Sequence, residues 1–319
     1  LLPGAILYLR VYFLGMPALA LYNFGNAVFS SIGDTKKPLM YLSIAGALNI
    51  GLNLFFVIVC DLSVVGVALA SAISQCVSAF LILRALTRVQ DCYALDPHKL
   101  QLDPVQAKSI LALGVPAGLQ NAIFAIANLF IQAGVNSFDS LMVKGNSAAA
   151  NADGLIYDCM AAFYMACASF MSQNYGAGKW KRMDKVLRNC ILLSVVVSLI
   201  LGGGSYLFGP ELLKIYTSDP KVIQCGMEIL LYTTVTYFMC GLMDLFPGAL
   251  RGMGYSAIPM LLSIIGTVGT RIVWIFMIFP RHRSLDVLFI SYPASWLITI
   301  ILQVICYFFV RKRIHNPLP

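Results

Sequence analysis

Nine apolar runs, each long enough to cross a bilayer, divide this 319-residue sequence. A membrane-spanning helix needs roughly 20 consecutive apolar residues, because the hydrocarbon core is about 30 Å thick. The runs lie at about 7–31, 38–60, 64–87, 107–136, 146–173, 184–209, 222–250, 258–279 and 283–310. Lipid cannot hydrogen-bond to the backbone, so single runs of this length must fold as helices. The pattern predicts an all-α integral membrane protein.

The composition agrees with a chain surrounded by membrane lipid. Hydrophobic residues make up 59% of the sequence, charged residues only 11%, and the mean hydropathy is +0.81. A soluble domain is about a quarter charged. The net charge is +8, but Lys and Arg lie in short clusters between apolar runs, so we expect no nucleic-acid partner. The nine cysteines form no Cys-x-x-Cys pair and there are only three histidines, so we expect no metal site and no disulfide framework.

The basic residues predict the orientation of the chain in the membrane. When alternate connections are grouped, starting after the first run, one side holds 15 of the 22 Lys and Arg. The other side holds five, and Arg10 and Arg271 lie within runs. Cytoplasmic connections carry the excess of positive charge. We therefore expect a multi-pass protein of the cell (inner) membrane with a cytoplasmic carboxyl terminus.

An internal repeat links the first third of the chain to the last. Residues 33–38 (GDTKKP) and 254–259 (GYSAIP) both place Pro five residues after Gly, and 42–46 (LSIAG) matches 262–266 (LSIIG). The offset is 221 residues up to the Pro and 220 beyond it. The repeat unit is therefore six spans long. An even number of spans gives both copies the same orientation, with a pseudo-two-fold axis along the membrane normal.

The repeat also predicts the domain organisation. Residues 1–89 correspond to the second half of an N-terminal lobe, with three helices. Residues 90–106, which include two Pro and three Asp, form a cytoplasmic linker. Residues 107–319 form a C-terminal lobe of six helices. Since a complete first copy needs six spans, we expect roughly three further helices upstream of Leu1.

Four stretches carry a family resemblance, in order along the chain: 8–17 (YLRVYFLGMP), 114–120 (GVPAGLQ), 173–179 (QNYGAGK) and 250–256 (LRGMGYS). The sequence resembles the multidrug and toxic compound extrusion (MATE) family of the MOP superfamily. The resemblance implies two six-helix lobes around a central cleft and alternating access by rocking of the lobes. It further implies a monomeric secondary active antiporter, not an enzyme and without a cofactor. Such a protein exports small organic, often cationic, compounds in exchange for sodium ions or protons.

Polar side chains within the runs are candidates for the cleft, because they are costly in lipid and usually functional. The candidates are Asp153, Tyr157, Asp158, Asp244, Asn121, Asn128 and Gln132. Asp153 and Tyr157 are four apart and share a helix face, and the three amides of the fourth run follow at spacings of seven and four. Two structural alternatives remain open. Asp244 could pair with Arg271 to hold helices together, and the amides could simply bond between helices.

The first lobe holds a candidate cation site. Asn49 and Asn53 are four apart on the second run, and Ser71 lies on the third; their oxygens are hard donors of the kind that alkali ions prefer. In MATE relatives with such a site, an Asn and an Asp four apart bind the ion, and a Thr on the next helix and an Asp on the first helix complete it. The resemblance places Asn49, Asn53 and Ser71 at the Asn, Asp and Thr positions. Asn53 lacks the negative charge of the Asp at that position in such relatives. The alternative to a cation site is that the two asparagines only form hydrogen bonds that bridge helices.

Two other functions compete with drug export. A lipid-linked precursor flippase of the same superfamily would share the two-lobe plan, but it should carry several cations in the cleft, and only Arg10 and Arg271 lie within runs. An intramembrane enzyme would need clustered His, Asp or Cys residues near one membrane face. The sequence shows no such cluster.

Overall fold

The computed structural model describes residues 2–315 and divides into two compact units, Leu1–Leu102 and Asp103–Pro319. Between residues 2 and 315 the chain forms helices joined by short connections, without a β-strand. The predicted all-α membrane fold is confirmed. Large apolar side chains such as Leu14 and Ile58 remain more than 70% exposed on the helix surfaces, as expected where helices face lipid.

The first unit contains three long helices. They are α1 (Leu2–Ser31), α2 (Lys36–Leu54), which continues into a π-helical stretch (Phe55–Val59), and α3 (Ser63–Thr87), followed by a 3₁₀ turn (Pro97–Lys99). Helix α3 packs against both α1 and α2. Tyr22 and Phe29 of α1 are buried against Ile82 and Leu86 of α3. In the turn before α2, hydrogen bonding from Lys37 lowers the pKa of Asp34, so this exposed pair is ionised at neutral pH.

The described part of the second unit contains nine helices, which give five membrane spans, or six if α8 and α9 count as one. They are α4 (Pro104–Val135), α5 (Ser140–Gly176), α6 (Trp180–Leu207), α7 (Gly209–Lys214), α8 (Pro220–Thr234), α9 (Tyr237–Gly252), α10 (Ala257–Ser263), α11 (Thr270–Val273) and α12 (Leu285–His315). Two π-helical stretches, Ile264–Gly269 and Trp274–Ile278, flank α11. They make residues 257–278 one continuous span.

Aspartates define where three helices of the second unit begin. Asp103, Asp139 and Asp219 precede α4, α5 and α8, and each carboxylate accepts a hydrogen bond from a backbone N–H of the first turn, at 2.8, 2.6 and 2.9 Å. These N–H groups have no partner within the helix, so a side-chain acceptor stabilises the start by about 1 kcal/mol. Helices α4 and α8 also have Pro at their first position, where no N–H is needed.

Nine spans were expected, and the described residues contain eight helices that are long and apolar enough to cross a membrane, or nine if the pair α8 and α9 counts as one. That pair is bent by 43°. The break lies next to three threonines whose hydroxyls donate to carbonyls of the preceding turn, from Thr233, Thr234 and Thr236. Such back-bonding bends helices. The bend therefore has a local cause in the threonine cluster, upstream of Pro247 within α9.

Helix α9 is the central element of the second unit. It packs against α5, α6 and α12, and its residues Leu245–Leu250 are all buried. Gly248 faces the ring of Tyr164 on α5, at a spacing that leaves no room for a side chain. At its end, Arg251 donates to the Tyr164 hydroxyl and to Gln120 of α4, both at 2.7 Å. Arg251 thus joins α4, α5 and α9.

The two repeat copies adopt the same local structure at matched positions. Gly33 and Gly254 both have positive φ, +88° and +89°, which favours glycine. The carbonyls of the matched Pro38 and Pro259 both accept a buried side-chain hydrogen bond, from Tyr22 and Gln303. The π-helical stretches 55–59 and 274–278 also coincide to within one residue of the sequence offset.

Candidate functional site

A cavity of about 550 Å³ lies inside the second unit, a volume typical of sites for small organic ligands. Helices α4, α5, α8, α9, α11 and α12 all contribute to its wall. Six of the seven predicted cleft residues line it: Asn121, Asn128, Gln132, Asp153, Tyr157 and Asp244. The seventh, Asp158, is an exposed residue of α5 and lies outside this cavity. The structure thus brings together residues from three separate runs of the sequence.

The amides of α4 form one side of the cavity. Asn128 Oδ1 accepts a hydrogen bond from Arg271 Nη1 at 2.8 Å. Gln132 donates to Asn136 and accepts from Asn146 of α5, at 2.9 and 3.1 Å. Asn128 and Gln132 therefore line the cavity and also form hydrogen bonds to residues of other helices.

Asp153 and Asp244 place two carboxylates in the cavity wall, one on α5 and one on α9. Asp153 Oδ2 accepts a hydrogen bond from the Tyr237 hydroxyl at 2.8 Å, and its Oδ1 is buried without a hydrogen-bond partner. The Tyr237 ring packs on Trp296 of α12, with centroids 6.0 Å apart. A carboxylate backed by aromatic rings is a suitable environment for an organic cation.

Arg271 is the cation of the cavity wall. Its Nε donates to Ser295 Oγ at 3.2 Å, and its guanidinium carbon lies 4.2 Å from the centroid of the Tyr292 ring. The described residues form four ion pairs within 4.0 Å, and none of them joins Arg271 to Asp244. The structural alternative of an Asp244–Arg271 pair is therefore not formed. Both residues face the same cavity from different helices.

The aromatic side of the cavity was not predicted from the sequence. Phe124, Tyr237, Phe289, Tyr292 and Trp296 come from three helices, and Tyr292 stacks edge-on against Trp296 at 5.8 Å. The spacing of Tyr292 and Trp296, four residues apart, was the available signal, because it puts both on one helix face. Nothing in the neighbouring sequence distinguishes that helix face from one that contacts lipid.

The candidate cation residues of the first unit are only partly brought together. Asn53 Nδ2 donates to Asn49 Oδ1 at 2.9 Å, and Asn53 Oδ1 is buried without a hydrogen-bond partner. Ser71 Oγ donates to the Val67 carbonyl of its own helix at 3.0 Å. The two asparagines therefore form a pair with one open oxygen, and Ser71 has no hydrogen bond to either of them.

Comparisons with known proteins agree with this geometry. A family model described as MatE matches residues 116–277, which contain most of the cavity wall. A second model, described as Lipid II flippase MurJ, matches residues 6–121. A probable multidrug resistance protein, YpnP of Bacillus subtilis, is 28% identical over 267 residues, or 83% of this chain. The probable multidrug resistance protein NorM of Thermotoga maritima is 24% identical over 270 residues, or 81% of this chain.

A solved structure extends the comparison to the fold. An outward-facing multidrug resistance MATE family transporter of the MOP superfamily matches with a TM-score of 0.86 and 19% identity, covering 97% of this chain and 70% of that one. The two-lobe transporter fold is thereby confirmed. The chain spans 59% of the length of YpnP and 56% of that of NorM.

Proposed function

The chain belongs to the MatE family, and on this premise we propose that it exports small organic compounds across the cell (inner) membrane as a secondary active antiporter. Relatives named as multidrug resistance proteins support this proposal. The observation that carries it is the cavity of about 550 Å³ with carboxylate, amide and aromatic walls. Most of its wall lies in the region that the family model matches, and transporters of repeated architecture bind substrates near the bilayer midplane.

The chemistry of the cavity wall favours cationic aromatic compounds among the possible substrates. Asp153 and Asp244 supply negative charge, and Tyr237 and Trp296 supply ring faces. A cation over an aromatic face gains about 0.5–2 kcal/mol, more when it is desolvated. No cofactor is needed for such binding, and energy comes from an ion gradient.

Dye accumulation in cells that express the full gene tests the proposal. Cells loaded with a cationic dye such as ethidium should lose it several-fold faster than vector controls, and a protonophore or the removal of external sodium should abolish the difference. Equal dye loss with and without the protein, at confirmed membrane expression, contradicts the export function.

We propose that the coupling ion binds in the first unit at Asn49 and Asn53, with Ser71 of α3 as a further candidate ligand. The buried, unpartnered Asn53 Oδ1 supports an oxygen site, and oxygen ligands suit alkali ions. In the full gene product, Asn53→Asp should add a charge and strengthen sodium-dependent dye release. Asn49→Leu should abolish that dependence without loss of folded protein. If sodium does not change dye release by the parent protein, and Asn53→Asp is equally insensitive, the proposed site is wrong.

A flippase for a lipid-linked precursor is the second candidate, because a flippase model matches residues 6–121. The cavity argues against it. A diphosphate carries at least two negative charges, whereas the cavity wall offers one cation, Arg271, and two carboxylates. Flipping of a fluorescent diphosphate lipid in proteoliposomes, unaffected by an excess of cationic dye, is the result that favours the flippase.

A further inference from the structure

Arg271 is a buried cation without a carboxylate partner. Its side chain is only 5% exposed, and the four ion pairs of the described chain do not include it. Burying an unpaired charge costs several kcal/mol. Ionisable residues inside membranes are rare and usually functional for this reason. The chain therefore keeps a cation in its membrane interior at a cost that packing alone does not explain.

The neighbours of Arg271 orient its guanidinium without neutralising it. Nε donates to Ser295, Nη1 donates to Asn128, and the plane lies over the Tyr292 ring. All three partners are uncharged. A guanidinium has five N–H donors in a fixed fork, and these bonds use two of them. The remaining three donors, including both on Nη2, have no protein acceptor among the described residues and belong to a side chain that lines the cavity.

The position of Arg271 is specific to the second unit. By the repeat offset of 220, the matching residue of the first copy is Gly51, so the cation is not part of a scaffold shared by both copies. Helix α11, which carries it, has only four residues between two π-helical stretches. Single π-turns inside helices occur frequently at functional sites.

We propose that this cavity binds organic compounds that carry an anionic oxygen group, in the simplest case a carboxylate, and that the free donors of Arg271 receive this group as a bidentate pair. The inference rests on the proposed export function and narrows its substrates. Arg–carboxylate forks are among the strongest hydrogen-bonded pairs. Asp153 and Asp244, on α5 and α9, line the same cavity and suit the cationic end of the compound. The substrate class is therefore aromatic zwitterions.

A matched pair of dyes tests the proposal on the purified full chain in lipid nanodiscs. Rhodamine 110 is a zwitterion with a free benzoate, and rhodamine 123 is its methyl ester, a cation with the same ring system. Binding is followed by fluorescence polarisation at neutral pH, with empty nanodiscs subtracted. We expect the parent protein to bind rhodamine 110 at least about fivefold more tightly. Arg271→Gln should weaken the binding of rhodamine 110 by about 10- to 100-fold, as for the loss of a charged hydrogen bond. It should weaken the binding of rhodamine 123 by less than about threefold.

The variants separate a binding role from a structural one. Arg271→Gln keeps a polar side chain without the charge. Arg271→Lys keeps the charge, so the lysine variant should retain the preference for rhodamine 110. If Arg271→Gln does not fold, the proposal is tested by the parent and Arg271→Lys alone, and both should bind rhodamine 110 more tightly than rhodamine 123. A parent that prefers the ester, or equal losses for both dyes in Arg271→Gln, overturns the inference and leaves export of cations standing. A parent that binds neither dye contradicts both the inference and the proposed function of the cavity.

Discussion

At the scale of the residue, the angle of a side chain around its helix decides what it can meet inside the membrane. Asp153 and Tyr157 are separated by about 40° around α5, whereas Asp153 and Asp158 are separated by about 140°. The first two line the cavity, and Asp158 is exposed outside it. Neighbouring acids on one helix thus have different surroundings, and only those facing the cavity can act on a bound compound.

Removing the charge of Asp153 tests this distinction. We expect Asp153→Asn to slow export of a cationic dye by about fivefold or more, because a charge pair a few ångströms apart is worth roughly 1–4 kcal/mol at the dielectric constants of water and protein surfaces. Export of an uncharged compound should change less. Asp158→Asn, five residues further along the helix, is the matched control and should leave both rates near those of the parent. Equal loss for charged and uncharged compounds would assign Asp153 a purely structural role.

The candidate site was predictable where spacing within one helix determines a shared face. The amides of α4 and the pair Asp153 and Tyr157 were found in this way. Arg271 was recognised as an ionisable residue inside a span, but its partners Asn128, Ser295 and Tyr292 come from two other helices. Contacts between helices depend on packing, which the sequence of a single helix does not specify. Whether Arg271 pairs with Asp244, the alternative that the sequence left open, depends on the same packing, and the structure does not form that pair.

At the scale of the element, the bend between α8 and α9 lies at a close approach between two helices. The backbone of Thr234, next to the bend, lies against Gly202 of α6, where even a Cβ would collide with the Thr234 carbonyl. Small residues at helix crossings allow such contact between backbones in membranes. Sequence reasoning predicted a single span over 222–250, because hydropathy records length and not direction. Hydropathy does not show the 43° bend, which accompanies hydrogen bonds from three threonine hydroxyls to carbonyls of the preceding turn.

Two adjacent glycines of α6 provide a matched test. A Cβ at Gly202 would meet backbone atoms, whereas one at Gly203 would meet nothing within 4 Å. We expect Gly202→Ala to lower the melting temperature of the detergent-solubilised protein by roughly 3 °C or more, as overpacking costs about 1–3 kcal/mol. Gly203→Ala should leave it unchanged or slightly higher, since Ala favours helix. Thermal unfolding followed by size-exclusion chromatography measures both, and similar melting temperatures for the two variants would contradict the close approach.

At the scale of the whole molecule, the repeat and the charge distribution predict different properties. The repeat predicts that both copies cross the membrane in the same direction. The basic residues predict which direction that is, since 15 of the 22 Lys and Arg lie in or beside connections on one side. The repeat was readable from the sequence because turns at Gly33 and Gly254 demand the same backbone. Packing within the six-span unit was not, because it joins helices far apart in the chain.

Reporter fusions test the proposed orientation. A green fluorescent protein joined to the carboxyl terminus should fluoresce, because it folds only in the cytoplasm of a bacterial cell. Alkaline phosphatase at the same position should be inactive, because it needs an oxidising compartment for its disulfides. The same reporters inserted in the connection between α5 and α6, at Gly178, should agree with the terminal fusions. Active phosphatase at the terminus would reverse the orientation.

The π-helical stretches around α11 also bear on how such a protein can change by mutation. A π-turn holds one residue more than an α-turn, so it can absorb the loss of a residue by reverting to α-helix. One deletion within Ile264–Gly269 that is absorbed in this way keeps the residues beyond it, Arg271 among them, on the same side of the span. The same deletion in a regular α-helix would rotate everything beyond it by about 100°. In evolutionary terms, a codon can be gained or lost within this stretch without changing which side chain lines the cavity.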